Sequence, residues 1–311
     1  MTDIDLSKKG PELEAYLGGA LAGLDPAGPA ARGRGQVRLA SVRRLAKSTR
    51  EAPWLIEAEL GDARRRCVLR FGEAARIEHE YDVLRAMERV PVATPKAYGC
   101  DLAGEALGSP CFLSDFVEGE SLLGPMLAGE AWAENLYLDS VCSLQAVTAN
   151  MLGVTGQRLL PGQSAADILE DTYAAFGEHP HPVAGPAYAR LKETMPELPD
   201  LRFSNGDLYL DNFLARDRGL AGVIDFEHAA FSDPVYEFLL SFFVHPELRG
   251  RGIEEHYCRR VGVNPETLHW YHGLEYFEVL QWTLRTGRSF EGHTAETLGR
   301  DLGKWLDGEN G

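Results

Sequence analysis

The spacing of apolar and polar positions changes along the chain, and each change outlines an element. Residues 11 to 24 carry a short helical pattern, and the stretch LDPAGPAARGRGQ that follows reads as a connector. Three strand-like runs come next, VRLASVRRL, PWLIEAELG and RRCVLRFG, with Gly61-Asp62 supplying a turn between the last two. They predict a small antiparallel sheet. Residues 73 to 89 then repeat Ile77, Tyr81, Leu84 and Met87 along one helical face, with Glu80 on the same inner side. CFLSDFV reads as a further buried strand, closed by Gly119, and the pattern beyond it is mainly helical.

The expected fold is therefore α+β. A sheet-based lobe over residues 1–113 joins a mainly helical lobe over 120–311 through a connector at 114–119. One segment departs from the helical pattern: in SNGDLYLDNFLARDRGLAGVIDFEHAAFSDP, short apolar runs alternate with Gly and Asp. Such a pattern predicts loops and short strands that hold polar groups on a rigid scaffold.

The composition narrows the function. With 44% hydrophobic and 25% charged residues over 311 positions, the chain is an ordinary globular one. Its 31 Lys and Arg against 47 Asp and Glu give a net charge of −16, a field that repels polyanions and makes nucleic acid an unexpected partner. No apolar run approaches the roughly 20 residues of a membrane span, and MTDIDLSKKGPELEAYL lacks the apolar centre of a signal peptide. A cytoplasmic address without membrane attachment is the expectation. Cys67, Cys100, Cys111, Cys142 and Cys258 form no CxxC pair, so a disulfide framework or zinc cluster is not expected.

Candidate chemistry lies in the exceptional segment. Asp207, Asn212 and Asp225 combine a proton acceptor with two hard oxygen ligands of the kind Mg²⁺ takes alongside phosphate and water oxygens. Phosphoryl transfer needs such a set, because the protein must orient the attacking hydroxyl and neutralise charge on the moving group. The run NGDLYLDN followed by VIDFEHAAFSDPVYEF resembles the aminoglycoside phosphotransferase and choline kinase family, whose signature is HGDxxxxN, then IDWE, then GDPxxDL.

That resemblance implies a two-lobed, protein-kinase-like fold and a phosphotransferase that acts on a hydroxyl of a small molecule. ATP and Mg²⁺ would serve as cofactors, with GTP the alternative donor. Asp207 would accept the substrate proton, and Asn212 and Asp225 would hold the metal. Asp233 and Glu237 match the two acidic positions of GDPxxDL and would be structural. In RRCVLRFG, Val68 and Arg70 share one strand face, which suits packing on a purine and reaching its phosphates. Glu80 would pair with Arg70, and the backbone at Asp115 and Val117 would meet the purine edge.

Three departures stand out. Arg70 replaces lysine, Asn205 replaces the histidine of HGD, and the loop LAKSTREAPW lacks glycines, leaving Ser48 and Thr49 as candidate phosphate contacts. They motivate an alternative, a catalytically silent nucleotide-binding pseudokinase.

A final expectation concerns the acceptor. After Asn264-Pro265-Glu266, the stripe Trp270, Leu274, Phe277, Gln281 and Leu284 reads as core, while Tyr271, Glu275, Glu278 and Trp282 alternate aromatic and acidic groups. Such a wall suits a cationic amino sugar, aminoglycoside or amino alcohol.

Overall fold

The computed structural model describes residues 4–22, 37–45 and 53–308. Its first part is a sheet with a helix on each side: α1 (Gly10–Ala20), β1 (Val37–Arg44), β2 (Trp54–Leu60), β3 (Ala63–Phe71), α2 (Ala74–Met87), β4 (Ala97–Asp101) and β5 (Cys111–Asp115). The strands pair antiparallel in the order β1-β2-β3-β5-β4. Gly61, at φ 60°, closes the β2–β3 hairpin where the sequence predicts a turn.

Alternation along β3 gives the sheet two different faces. Cys67 and Leu69 are fully buried and join Leu13 and Leu17 of α1 and Leu21 just after it in a separate apolar cluster. Val68 and Arg70 point the other way and stay partly accessible. Helix α1 is fastened by Tyr16 Oη donating to the Gly99 carbonyl at 3.0 Å and Lys9 Nζ to the Leu107 carbonyl at 2.9 Å.

Past Asp115 the chain crosses to β6 (Glu120–Ser121) and enters the helical part. There follow α3 (Leu123–Leu127), α4 (Ala131–Gln145), α5 (Ala149–Leu152), α6 (Val154–Arg158), α7 (Ala165–Ala175) and α8 (Ala184–Glu193). The predicted interruption then appears as β7 (Arg202–Ser204), β8 (Phe213–Arg216), β9 (Gly219–Val223) and β10 (Ala230–Ser232), in two small sheets ordered β10-β7 and β6-β8-β9. Helices α9 (Pro234–Val244), α10 (Ile253–Val261), α11 (Leu268–Thr286) and α12 (Ala295–Leu306) complete the chain.

Helix α11 is the hub of the helical part and packs on α7, α8, α9 and α12. A Cβ on Gly273 would lie 2.2 Å from the Trp305 ring, so the close seating of α12 needs glycine there. The large apolar core gathers α4, α7, α9 and α11 with Ile77, Val83 and Phe112 from α2 and β5. Packing therefore ties α2 and the inner side of the sheet to the helical part. Among the described residues no helix is long and apolar enough to cross a membrane, and all five cysteines are free thiols.

Candidate active site

The sequence SNGD turns where β7 ends. Gly206 sits at φ 79°, and a Cβ there would come within 2.1 Å of the His228 carbonyl oxygen, so only glycine fits. The preceding Asn205 is fully buried, and its Nδ2 donates to the carbonyls of Asp207 at 2.9 Å, Ile224 at 3.1 Å and Asp225 at 3.1 Å. One amide thus binds the Asp207 loop to the Asp225 loop, so Asn205, which replaces the histidine, acts as a scaffold. From below, Tyr137 Oη and Ser241 Oγ both donate to the Leu208 carbonyl at 2.7 Å.

Asp207 is positioned by this frame. Its Oδ1 accepts from the Tyr209 N–H at 3.3 Å, and its carbonyl accepts from Asn212 Nδ2 at 3.0 Å. Burial, with Asp225 nearby adding like charge, pushes the Asp207 carboxyl up to about 7. That value suits a group that takes up a proton near neutrality.

Asp225 has a left-handed backbone, at φ 63°, a conformation that costs a residue with a Cβ on the order of 1 kcal/mol. It aims a carboxylate that is 35% exposed into the cleft, while the next residue, Phe226, is fully buried and stacks on Phe203. With its Nδ2 committed, Asn212 has Oδ1 left as a ligand. No cluster of three or more His, Cys, Asp or Glu among the described residues has a metal-holding arrangement. The donor set Asn212 and Asp225 fits Mg²⁺, which takes one or two protein oxygens and completes its octahedron with phosphate and water.

Arg70 of β3 reaches Asp225. Its Nη1 donates to Asp225 Oδ1 at 3.0 Å and to Glu80 Oε2 at 3.3 Å. Glu80 is 4% exposed, and its other oxygen accepts from the Phe226 N–H at 3.4 Å. Burial pushes the Glu80 carboxyl up to about 7 against the opposing pull of Arg70. Burial alone would lower the Arg70 pKa, but Glu80 and Asp225 outweigh it and hold the guanidinium charged. Two further contacts tie α2 to the Asp225 loop: Arg76 to Glu227 at 2.9 Å and His79 Nε2 with the Ala229 carbonyl at 3.0 Å. They span about 150 positions of sequence, so no local pattern announces them.

At the connector, the Asp115 N–H donates to the Lys96 carbonyl at 2.9 Å and its carboxylate accepts from Tyr98 Oη at 2.5 Å. Phe116 N–H donates to the Arg66 carbonyl at 3.1 Å, while the Arg66 guanidinium lies over the Phe116 ring and pairs with Glu118 at 2.7 Å. Val117 follows, partly accessible. Val68 pairs in register with Ser114, which brings the strand face and the connector together. Ser48 and Thr49 lie outside the described residues.

The aromatic and acidic stripe of α11 divides, which corrects its reading as one open wall. Tyr271 and Glu275 are fully buried. Tyr271 Oη donates to Asp233 Oδ2 at 3.0 Å, and Glu275 pairs with Arg249 at 2.6 Å. Glu278 and Trp282 remain partly accessible; Glu278 accepts from Tyr236 Oη at 3.1 Å, and Trp282 meets Phe290 edge to face. The core stripe is as expected for Trp270, Leu274, Phe277 and Gln281, while Leu284 is only half-buried.

Asp233 caps α9, its Oδ1 accepting from the N–H groups of Val235 and Tyr236 at 3.0 Å. Glu237 is held by Ser204 Oγ at 3.4 Å and is close enough to Asp207 to raise its pKa; burial pushes Glu237 itself up to about 7. Tyr209 lies within the combined field of Asp207, Glu237, Glu278 and Glu291. The sequence reading missed Tyr209 and Tyr236 as neighbours of this acidic cluster, although Tyr209 stands inside the NGDLYLDN motif.

A model of the phosphotransferase enzyme family matches residues 56–274, a span that includes Val68, Arg70, Glu80, Asp207, Asn212 and Asp225. No curated protein matches the chain. A structure from Ralstonia eutropha JMP134, assigned to the aminoglycoside phosphotransferases, resembles it with a TM-score of 0.66 at 16% identity, over 98% of this chain and 96% of that one. The aminoglycoside phosphotransferase APH(4)-Ia, in ternary complex with ADP and hygromycin B, gives 0.63 at 14% identity over 88% and 96%. APH(2″)-IIIa with GDP and kanamycin gives 0.60 at 19% identity over 87% and 93%. These likenesses establish the two-lobed protein-kinase-like fold, and because the family model spans most of the sequence, the chain belongs to the phosphotransferase enzyme family and is a small-molecule kinase.

Proposed function

We propose that this kinase transfers the γ-phosphoryl group of ATP to a hydroxyl of a small cationic acceptor, such as an amino sugar, an aminoglycoside or an amino alcohol. The observation that carries the reading is the joint loop frame: Asn205 fixes Asp207 and Asp225 together, with Asn212 between them in sequence. In this reading the nucleotide lies between a lobe over 1–113 and a lobe over 120–311, with its purine against Val68 and the backbone at Asp115 and Val117. The complexes of structural relatives with ADP and GDP support a purine nucleotide in that cleft.

Asp207 accepts the proton of the acceptor hydroxyl as its oxygen bonds to the γ-phosphorus and the bond from that phosphorus to ADP breaks, ADP leaving with the bonding pair; Asn212 and Asp225 would hold Mg²⁺, which would neutralise phosphate charge. Arg70, fixed by Glu80, supplies further positive charge toward the phosphates. For the acceptor, Glu237, Glu278 and Glu291 act electrostatically on Tyr209, two positions from Asp207, and an acidic field there favours an ammonium group. Hygromycin B and kanamycin in the relatives' complexes agree with that class.

The test separates the two aspartates. Asp225→Ala should abolish Mg²⁺-dependent tight nucleotide binding, whereas Asp207→Ala should keep it and lose transfer. A screen of amino sugars, amino alcohols and neutral alcohols, with ATP and GTP as donors, then identifies the acceptor; loss of binding in both variants or in neither would reject these roles.

A further inference from the structure

Arg70 touches Asp225 directly, and three constraints hold that contact in place. Asp225 has a left-handed backbone at φ 63°, which fixes the direction of its carboxylate. Glu80, 4% exposed, is anchored through the Phe226 N–H and so fixes the guanidinium from the opposite side. A single nitrogen, Nη1, then spans both carboxylates, at 3.3 Å to Glu80 and 3.0 Å to Asp225. The Arg70 side chain is only 22% exposed, which weakens screening of its charge.

We propose that Arg70 is a positioning residue that shares the Asp225 carboxylate with the metal, so that a divalent cation reaching Asp225 must displace a charge-assisted hydrogen bond. The inference rests on the reading of Asp225 as a metal ligand. It follows from the departure at this strand position: lysine is one bond shorter, and as a point charge it can satisfy Glu80 without lying against Asp225. Arginine reaches both carboxylates. Once displaced, the fork keeps other N–H groups for Glu80 and for a phosphate oxygen, so the exchange couples metal entry to movement of the guanidinium toward the nucleotide.

The experiment uses the full chain without nucleotide, Mn²⁺ as the probe, and electron paramagnetic resonance to count free ion, for wild type, Arg70→Lys and Asp225→Asn. Arg70→Lys keeps the net charge, so a change in affinity reports the contact and not the field. The expected result is at least about threefold tighter Mn²⁺ binding in Arg70→Lys, with binding lost in Asp225→Asn. Equal or weaker binding in Arg70→Lys, with Asp225→Asn still removing the site, would overturn the sharing of the carboxylate and leave the metal assignment standing. Mn²⁺ binding indifferent to Asp225→Asn would overturn both. Thermal melts of each variant establish that the compared proteins are folded.

Discussion

The loops around Asp207 and the α11 stripe contain the same kinds of residue, carboxylates interleaved with aromatic rings, yet the fold treats them differently. In the loops, Asp207 and Asp225 are presented to the cleft by backbone geometry: a glycine at φ 79°, an aspartate at φ 63° and an amide donating to three carbonyls. On α11, Tyr271 and Glu275 are drawn inward by Asp233 and Arg249, and only Glu278 and Trp282 keep some access. A loop motif carries its own geometry in residue type and spacing. A helical stripe carries only an angle, and its neighbours decide which part of it meets solvent.

The largest test of this contrast is Asp207→Ala. Turnover should fall by about 10³-fold or more, on the order of 4 kcal/mol of transition-state stabilisation, with nucleotide affinity retained. A rate within about tenfold of wild type in a steady-state assay would remove Asp207 from the chemistry.

Glu275→Gln probes the sealed half. Arg249 would keep an amide oxygen at best where it now has a carboxylate at 2.6 Å, and lose that buried counter-charge, with the Glu254 carboxyl at 3.6 Å. Unfolding in urea should show a loss of about 3 kcal/mol, while the acceptor KM of the folded fraction stays unchanged. A variant as stable as wild type but altered in KM would instead place Glu275 in the acceptor site.

The accessible half should respond in the opposite sense. Glu278→Gln should raise KM for amine-bearing acceptors by about fivefold to tenfold and leave neutral acceptors and the melting temperature nearly unchanged. An equal effect on both acceptor types would remove the cation preference and keep the kinase assignment.

The smallest effect concerns pH. The Asp207 carboxyl is raised from 3.8 to about 7, so between these values the folded chain binds more protons than the unfolded one. Its contribution to stability is therefore greatest at low pH, falls as pH rises through that window, and is fully lost above about 7. Asp207→Asn should accordingly raise the melting temperature by a few degrees at pH 8 and by less at pH 5, whereas wild-type turnover should fall below about pH 7 as the proton acceptor is neutralised. A stabilisation independent of pH would show that Asp207 titrates near its ordinary value.

Much of this protein was legible in its residues. Period-2 runs around Gly61-Asp62 determined the small sheet, the helical face of 73–89 determined α2 with Glu80 inward, and NGDLYLDN with VIDFEHAAFSDP determined the loops and short strands that carry Asp207, Asn212 and Asp225. These signals survive because they are local: turn glycines, alternation and cap residues act within a few positions. Only tertiary structure decided that Arg70 rests on Asp225 across 155 positions, that α2 locks to the Asp225 loop through Arg76 and His79, and that α11 lies at the centre of the helical part with Tyr271 and Glu275 enclosed. A helix pattern shows which residues share a side but not how many sides will be covered, and that depends on α7, α8, α9 and α12 arriving from distant sequence to bury it.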